Sequence, residues 1–264
     1  MSESGDPGGL AEGTLISHLL ELRDRLLKAM LAVGICFIPC AYYMKDLFAF
    51  IAAPLKQRLP PGASLIATSV VGTFTVPFKM ALFLAIGIAM PYVLYQAWAF
   101  VAPGLYRHEK KLAIPLLISS IILFYAGAAF AYFVVFPFMV SFFISTTPQG
   151  VQMMTEMGNY LDFVSLLLLA FGLAFEVPVA TVLLVWTGFV KIATLKKNRG
   201  FVILGIFIFA AFVTPPDAVS QSALAIPMCL LYEIGIIMAK VLLKDKLAAR
   251  AREEAEQAGR ESGA

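Results

Sequence analysis

The chain has 264 residues, 60% of them hydrophobic and only 14% charged, with a formal net charge of +3 and a mean hydropathy of +0.85. A soluble core of this length cannot hide that much apolar surface, so the composition excludes a soluble globular fold and indicates an all-α polytopic membrane protein. The small positive charge gives no reason to expect a nucleic-acid partner, and a basic tail fits a lipid-adjacent role better.

Met1–Gly13 is acidic and Gly-rich and lacks a basic n-region, so no cleavable signal is visible and the first span is expected to stay in the mature chain. No transit-peptide pattern is present either, which favours a bacterial plasma (inner) membrane over an organelle. Thr14–Lys28 is amphipathic. Ser17, His18, Glu21, Asp24, Arg25 and Lys28 recur at helical spacing opposite Leu15, Ile16, Leu19, Leu22, Leu26 and Leu27. Such a helix is expected to lie in the headgroup region at the cytoplasmic surface. Its charges ordinarily form a solvated face.

Six segments are candidate spans, four of which have at least ordinary length: Leu26–Met44, Met80–Val101, Leu112–Ile144 and Phe163–Val190. Leu112–Ile144 carries no charge over thirty-three residues, so it tilts, bends at Pro115 or Pro137, or runs past the interface. Gly200–Val213 and Ala218–Glu233 are short against a hydrocarbon thickness of ~30 Å. They form either a re-entrant hairpin turning at Thr214-Pro215-Pro216-Asp217 or two spans that thin the bilayer. The charge distribution favours two spans, and so six transmembrane helices, the last two short. Pro39, Pro77, Pro91, Pro115, Pro137, Pro178 and Pro227 lie in or beside these segments. Prolines at this density predict kinked helices forming an open groove, with adaptive packing as the alternative.

Phe163–Val190 holds a single carboxylate, Glu176, near its middle. An ionised group at that depth costs a few kcal/mol or more (about 2.5–3.5 on insertion scales), so such acids mark function or act as polar glue between helices. Pro178 removes the hydrogen bond to the carbonyl of Ala174 and predicts a kink beside the acid.

Basic residues set the orientation. Arg23, Arg25, Lys28, Arg107, Lys110, Lys111, Lys191, Lys196, Lys197, Arg199, Lys240, Lys244, Lys246, Arg250, Arg252 and Arg260 fall on one side, sixteen of the twenty. Lys45, Lys56, Arg58 and Lys79 remain for the other. The positive-inside rule then puts both termini in the cytoplasm. The expected organisation is a flexible cytoplasmic N-terminus over 1–13, a single six-helix membrane domain with its amphipathic helix over 14–243, and a charged cytoplasmic tail over 244–264.

Motifs for bond-breaking chemistry are missing. His108-Glu109 begins like HExxH, but Leu112 stands where the second His is needed, and His18 is the only other histidine. There is no GxxxxGK[ST] loop, and Gly62-Ala63-Ser64-Leu65 lacks the second Gly of a nucleophile elbow. Cys36, Cys40 and Cys229 sit in apolar segments and read as small packing residues. No metal, no cofactor and no enzymatic activity are expected, so energy must come from an ion gradient or a partner.

Several motifs in chain order resemble one family. They are His18-Leu19-Leu20-Glu21-Leu22-Arg23, Ala53-Pro54-Leu55, the run from Tyr95-Gln96-Ala97-Trp98 to Gly104-Leu105-Tyr106, and His108-Glu109-Lys110-Lys111. Phe124-Tyr125-Ala126-Gly127, Ala131 to Pro137, Phe171 to Pro178 and Thr214-Pro215-Pro216-Asp217 continue the series. Together they resemble the TatC subunit of the twin-arginine protein translocase, from about Leu15 to Lys240.

That resemblance implies a six-span receptor that binds twin-arginine signal peptides of folded precursors. It also implies assembly with the single-span proteins TatB and TatA, as a homo-oligomer within a TatBC complex, and transport driven by the protonmotive force. Glu21 and Glu109 are the implied partners of the two arginines, which carboxylates bind by bidentate hydrogen bonds. Phe100 and Leu105 would pack against the apolar part of the peptide. Arg23 either holds Glu21 in place or is a positive-inside charge. Pro54 resembles a position shaping the first outer loop, and Asp217 one that caps the short outer turn. Glu176, Thr214 and Gln221 are the implied intramembrane and partner-helix contacts. The alternative from another class is a proton-coupled solute transporter using Glu176 as its proton carrier. The repeated halves common in such transporters are not detected.

Overall fold

The computed structural model describes residues 7–59, 63–101, 110–151, 153–244 and 248, and the side chains of these except 7–16, 101 and 110–113. The helices are α1 (Pro7–Tyr42), α2 (Met44–Lys56), α3 (Gly72–Val101), α4 (Lys110–Phe130), α5 (Phe136–Thr146), α6 (Met157–Ala174), α7 (Val177–Thr187), α8 (Ile192–Lys197), α9 (Arg199–Val213) and α10 (Ala218–Leu242). A π-helical segment, Ala131–Val135, joins α4 to α5, and two short strands, β1 (Ser64–Ile66) and β2 (Met154–Glu156), complete the description.

Five helical stretches are long and apolar enough to cross a membrane: Ser17–Tyr42, Gly72–Phe100, Ile114–Thr146, Met157–Thr187 and Ala218–Leu242. Arg199–Val213 is apolar but shorter. The protein is a multi-pass, largely helical membrane protein. Residues 14–28 are not a separate helix. They run without a break into the first span, because Leu, Glu, Arg and Lys are good helix formers and no Pro or Gly interrupts them. The apolar run Ala218–Glu233 is short, as its hydropathy indicates, but the helix built on it continues to Leu242. Glu233 and Lys240 end the apolar pattern without ending the backbone ladder.

Prolines act unequally. Pro39, Pro77, Pro91, Pro115 and Pro227 sit inside unbroken helices. Pro137 follows directly on the π-helical turns, where the widened ladder absorbs its missing N–H. Pro178 coincides with a full interruption. α6 ends at Ala174, Phe175 and Glu176 form a turn, and α7 restarts at Val177. The Glu176 N–H shortens its reach to the carbonyl of Leu173 at 3.0 Å, and the helix resumes with Ala180 donating to Glu176 at 2.8 Å. Gly188, at φ +86°, then stops α7 in the left-handed region that glycine adopts without steric cost.

The chain forms two compact units, Met1–Ile121 with Gly150–Leu161, and Ile122–Gln149 with Asp162–Ala264. In the first, α1 packs along α3 around Cys40, Ala81 and Ala85, with Val33, Phe37, Leu47 and Leu84 against them. The small side chains let the backbones approach, which is where packing energy between lipid-embedded helices comes from. All three cysteines are free. Tyr160 Oη donates to the carbonyl of Ile51 at 2.7 Å and pins the start of α6 to α2. β1 and β2 pair in parallel, Ser64 opposite Met154 and Ile66 opposite Glu156. No strand is expected from the sequence. In the second unit α7 and α9 pack on α10. Gly235 lies so close to Pro178 and Thr181 that an added Cβ would stand 2.9 Å from the Pro178 Cα.

Candidate functional site

The N-terminal turns of α1 and the C-terminal turns of α3 build a polar cluster beside an apolar groove. Helical spacing puts His18, Glu21, Arg25 and Ala29 of α1 on one face, opposite Gln96 and Phe100 of α3. Arg25 donates from Nε (3.0 Å) and Nη2 (2.6 Å) to one oxygen, Oε1, of Glu21. Its Nη1 reaches toward Oε1 of Gln96 at 3.5 Å. Gln96 is 6% exposed, whereas the Glu21 side chain keeps 34% of its surface in the open. Oε2 of Glu21 has no hydrogen-bond partner among the described residues. The cluster therefore offers an oriented carboxylate with one oxygen engaged and the other available.

Arg23 does not hold Glu21. It turns outward and pairs with Asp24 at 2.8 Å, because residues two apart on a helix do not share a face while those four apart do. Arg25 and Gln96 are the members of this cluster that sequence reasoning missed. The i,i+4 spacing of Glu21 and Arg25 was the available signal. Phe100 is half-buried and stacks on the His18 ring at 4.3 Å between centroids. Leu22, Leu26, Val93, Ala97 and Phe100 line an adjoining groove of about 260 Å³. Trp98 Nε1 donates to the buried Ser120 hydroxyl at 3.2 Å and braces the end of α3 against α4. Leu105 and Glu109 lie outside the described residues.

Glu176 sits at the α6–α7 interruption, half-buried, with its Oε1 atom enclosed. The break beside Pro178 thus places the one carboxylate of this span where the backbone ladder is open. Thr214 and Gln221 flank the turn between α9 and α10. Thr214 is 5% exposed, and its hydroxyl donates back to the carbonyl of Ala210 at 2.9 Å. Gln221 Nε2 donates to the carbonyl of Phe207 at 2.9 Å and straps α10 to α9. Asp217 caps α10, its Oδ1 accepting from the Ser220 N–H at 2.7 Å. Its Oδ2 and the Ser220 hydroxyl are buried without a partner among the described residues. Pro54 lies inside α2.

Glu156 ends β2, directly before α6. The N–H of Asn159, then that of Gly158, and the Thr68 hydroxyl hold its carboxyl below the usual carboxylate range. A depressed acid stabilises the fold at pH above its unfolded value, and that contribution disappears as pH falls through the folded value. Glu156→Gln is therefore expected to lower the melting temperature of the purified protein at neutral pH. The gap to wild type should close on acidification below the ordinary carboxylate range. A gap that persists unchanged in acid would show that charge at Glu156 plays no part.

Comparison with known proteins decides the family. The profile described as Sec-independent protein translocase protein (TatC) matches residues 17–227. The chain belongs to the TatC family. It is 55% identical to the Sec-independent protein translocase protein TatC of Azotobacter chroococcum mcd 1 over 222 residues, covering 84% of this chain and 87% of the relative. Identity to the TatC of Escherichia coli strain K12 is 47% over 226 residues, 86% of this chain and 88% of that one. A crystal structure of the twin arginine translocase receptor TatC superposes with a TM-score of 0.77 at 38% identity, covering 85% of this chain and 98% of that chain. The family is that of a protein translocase component, and the described fold fits the solved TatC fold.

Proposed function

We propose that this chain is the signal receptor and core subunit of a twin-arginine translocase, and that Glu21 and Glu109 bind the paired arginines of a precursor's signal peptide. One observation carries the reading. Glu21 is fixed through a single carboxylate oxygen by Arg25, directly beside the groove headed by Phe100. A guanidinium can take the open oxygen while the apolar part of the peptide follows the groove toward Leu26. Arg25 keeps its own bonds to Oε1 of Glu21, so nothing has to be displaced. Both termini are cytoplasmic in this reading, supported by the sixteen-to-four division of basic residues. Labelling of a cysteine at position 196 by an impermeant reagent on intact cells would refute it. TatB and TatA are the proposed partners within a homo-oligomeric complex, and the protonmotive force the energy source.

The test is a titration of a twin-arginine peptide and its twin-lysine counterpart against the detergent-solubilised full chain. The lysine peptide is expected to bind about tenfold more weakly, because an ammonium cannot form the bidentate pair. Equal binding would sink the proposal.

Glu176 is proposed to contact a partner helix or a bound signal peptide inside the membrane. Removing it relieves a desolvation cost of about 2.5–3.5 kcal/mol on insertion scales, so Glu176→Ala should still insert and fold. Transport of a twin-arginine reporter should nevertheless fall. Wild-type transport by the Ala variant would reduce Glu176 to polar glue. Glu176→Gln recovers function where hydrogen bonding suffices, and none where a proton is exchanged.

A further inference from the structure

The second unit carries a site that the signal-receptor reading does not use. We propose that the groove between α8–α9 and the last turns of α10 holds the headgroup of an anionic phospholipid. The groove measures about 630 Å³, and Lys196, Arg199, Lys240 and Lys244 stand around it with Ile237 and Val241. Among the described residues Glu233 is the one carboxylate of the lining, and Arg199 neutralises it through a 2.6 Å ion pair. None of the three lysines pairs with a carboxylate among the described residues. The walls are tied together independently of any ligand. Tyr232 Oη donates to the carbonyl of Leu195 at 2.9 Å and fixes α8 against α10.

Position and chemistry then select the ligand. α9 begins its apolar run at Arg199, and α10 ends its membrane-length stretch at Leu242, so the lysines stand where hydrocarbon gives way to headgroups. A phosphodiester among three ammonium groups is favoured there, each worth about a fivefold gain near an anionic surface. A free phosphate would have no use for the apolar side of the site. An acyl chain would. Ile237 and Val241 are 59% and 68% exposed, and they continue a strip of α10 through Leu230 and Ile234 that nothing in this unit covers.

This site rests on the membrane fold and not on the twin-arginine proposal, so either can fail alone. The test uses the full chain, purified in detergent and stripped of lipid, with phosphatidylglycerol as probe and retention read by native mass spectrometry. Phosphatidylglycerol is expected to bind, phosphatidylcholine to bind far less, and inorganic phosphate not to displace the lipid at equal concentration. The triple variant Lys196→Gln, Lys240→Gln, Lys244→Gln should lose affinity by on the order of a hundredfold. A triple Lys→Arg variant should retain it, and Lys45→Gln with Lys56→Gln should leave it unchanged. All three lysines are exposed, so an unchanged lipid-free melting temperature confirms that the variants fold. Equal retention of phosphatidylcholine, displacement by free phosphate, or wild-type affinity in the Gln triple variant would each overturn the proposal.

Discussion

Replacing Glu21 and Glu109 together by alanine is expected to weaken binding of a twin-arginine peptide by on the order of a thousandfold. Each single replacement should cost about ten- to a hundredfold. A hydrogen bond to a charged group contributes about 1.5–3 kcal/mol, and the two losses add where the carboxylates serve different arginines. The geometry at Glu21 sharpens the expectation. Arg25 occupies Oε1 alone, so the carboxylate is oriented without being consumed. Arg25→Ala should therefore weaken binding less than Glu21→Ala, because the charge remains and only its positioning is lost. Glu109→Arg should cost more than Glu109→Ala, since repulsion is added to the lost pair. Titration calorimetry on the two single variants and the double variant separates these effects. Wild-type affinity in both single variants would leave Glu21 and Glu109 as solvated surface charges.

The sequence reveals those features of this fold that depend on one residue or one local pattern. Apolar runs locate the membrane helices, and Pro178 points to the break beside Glu176 through its missing N–H, although Pro39, Pro77, Pro91, Pro115 and Pro227 leave their helices unbroken. Features that depend on a neighbour's backbone are not legible in this way. Gln96 reads as an ordinary polar residue near a helix end, yet α1 covers it and turns it into a second acceptor for Arg25. Arg23 and Arg25 are interchangeable under a charge-counting rule and separate only when helical phase is applied to Glu21. β1 and β2 are three residues each and nearly ninety apart in sequence, so no local periodicity announces their pairing. The run past Glu233 to Leu242 is illegible in the sequence for a different reason. Hydropathy measures where lipid is favourable, while α-helical hydrogen bonding continues through any residue that can donate.

Gly127→Val is expected to cost about 3 kcal/mol or more of stability, the upper end for overpacking, and to disable the Glu176 region with it. A Cβ at Gly127 would run into the carbonyl oxygen of Phe171 and come within 2.8 Å of the Phe175 ring. A carbonyl cannot rotate away as a side chain can, and this one also accepts the Phe175 N–H at 3.0 Å, the last regular bond before the turn. The Phe130 ring packs against both, its centroid 5.6 Å from that of Phe171 and 5.8 Å from that of Phe175. α4 must therefore withdraw from the end of α6, and the residue after Phe175 is Glu176. Gly205 provides the contrast. Nothing stands within 4 Å of a Cβ there, so Gly205→Ala should stabilise α9 by up to about 1 kcal/mol through helix propensity alone. Thermal unfolding of the detergent-solubilised variants checks both expectations. A Gly127→Val protein that melts like wild type would mean that α4 can withdraw without loss. The position of Glu176 would then owe nothing to this glycine.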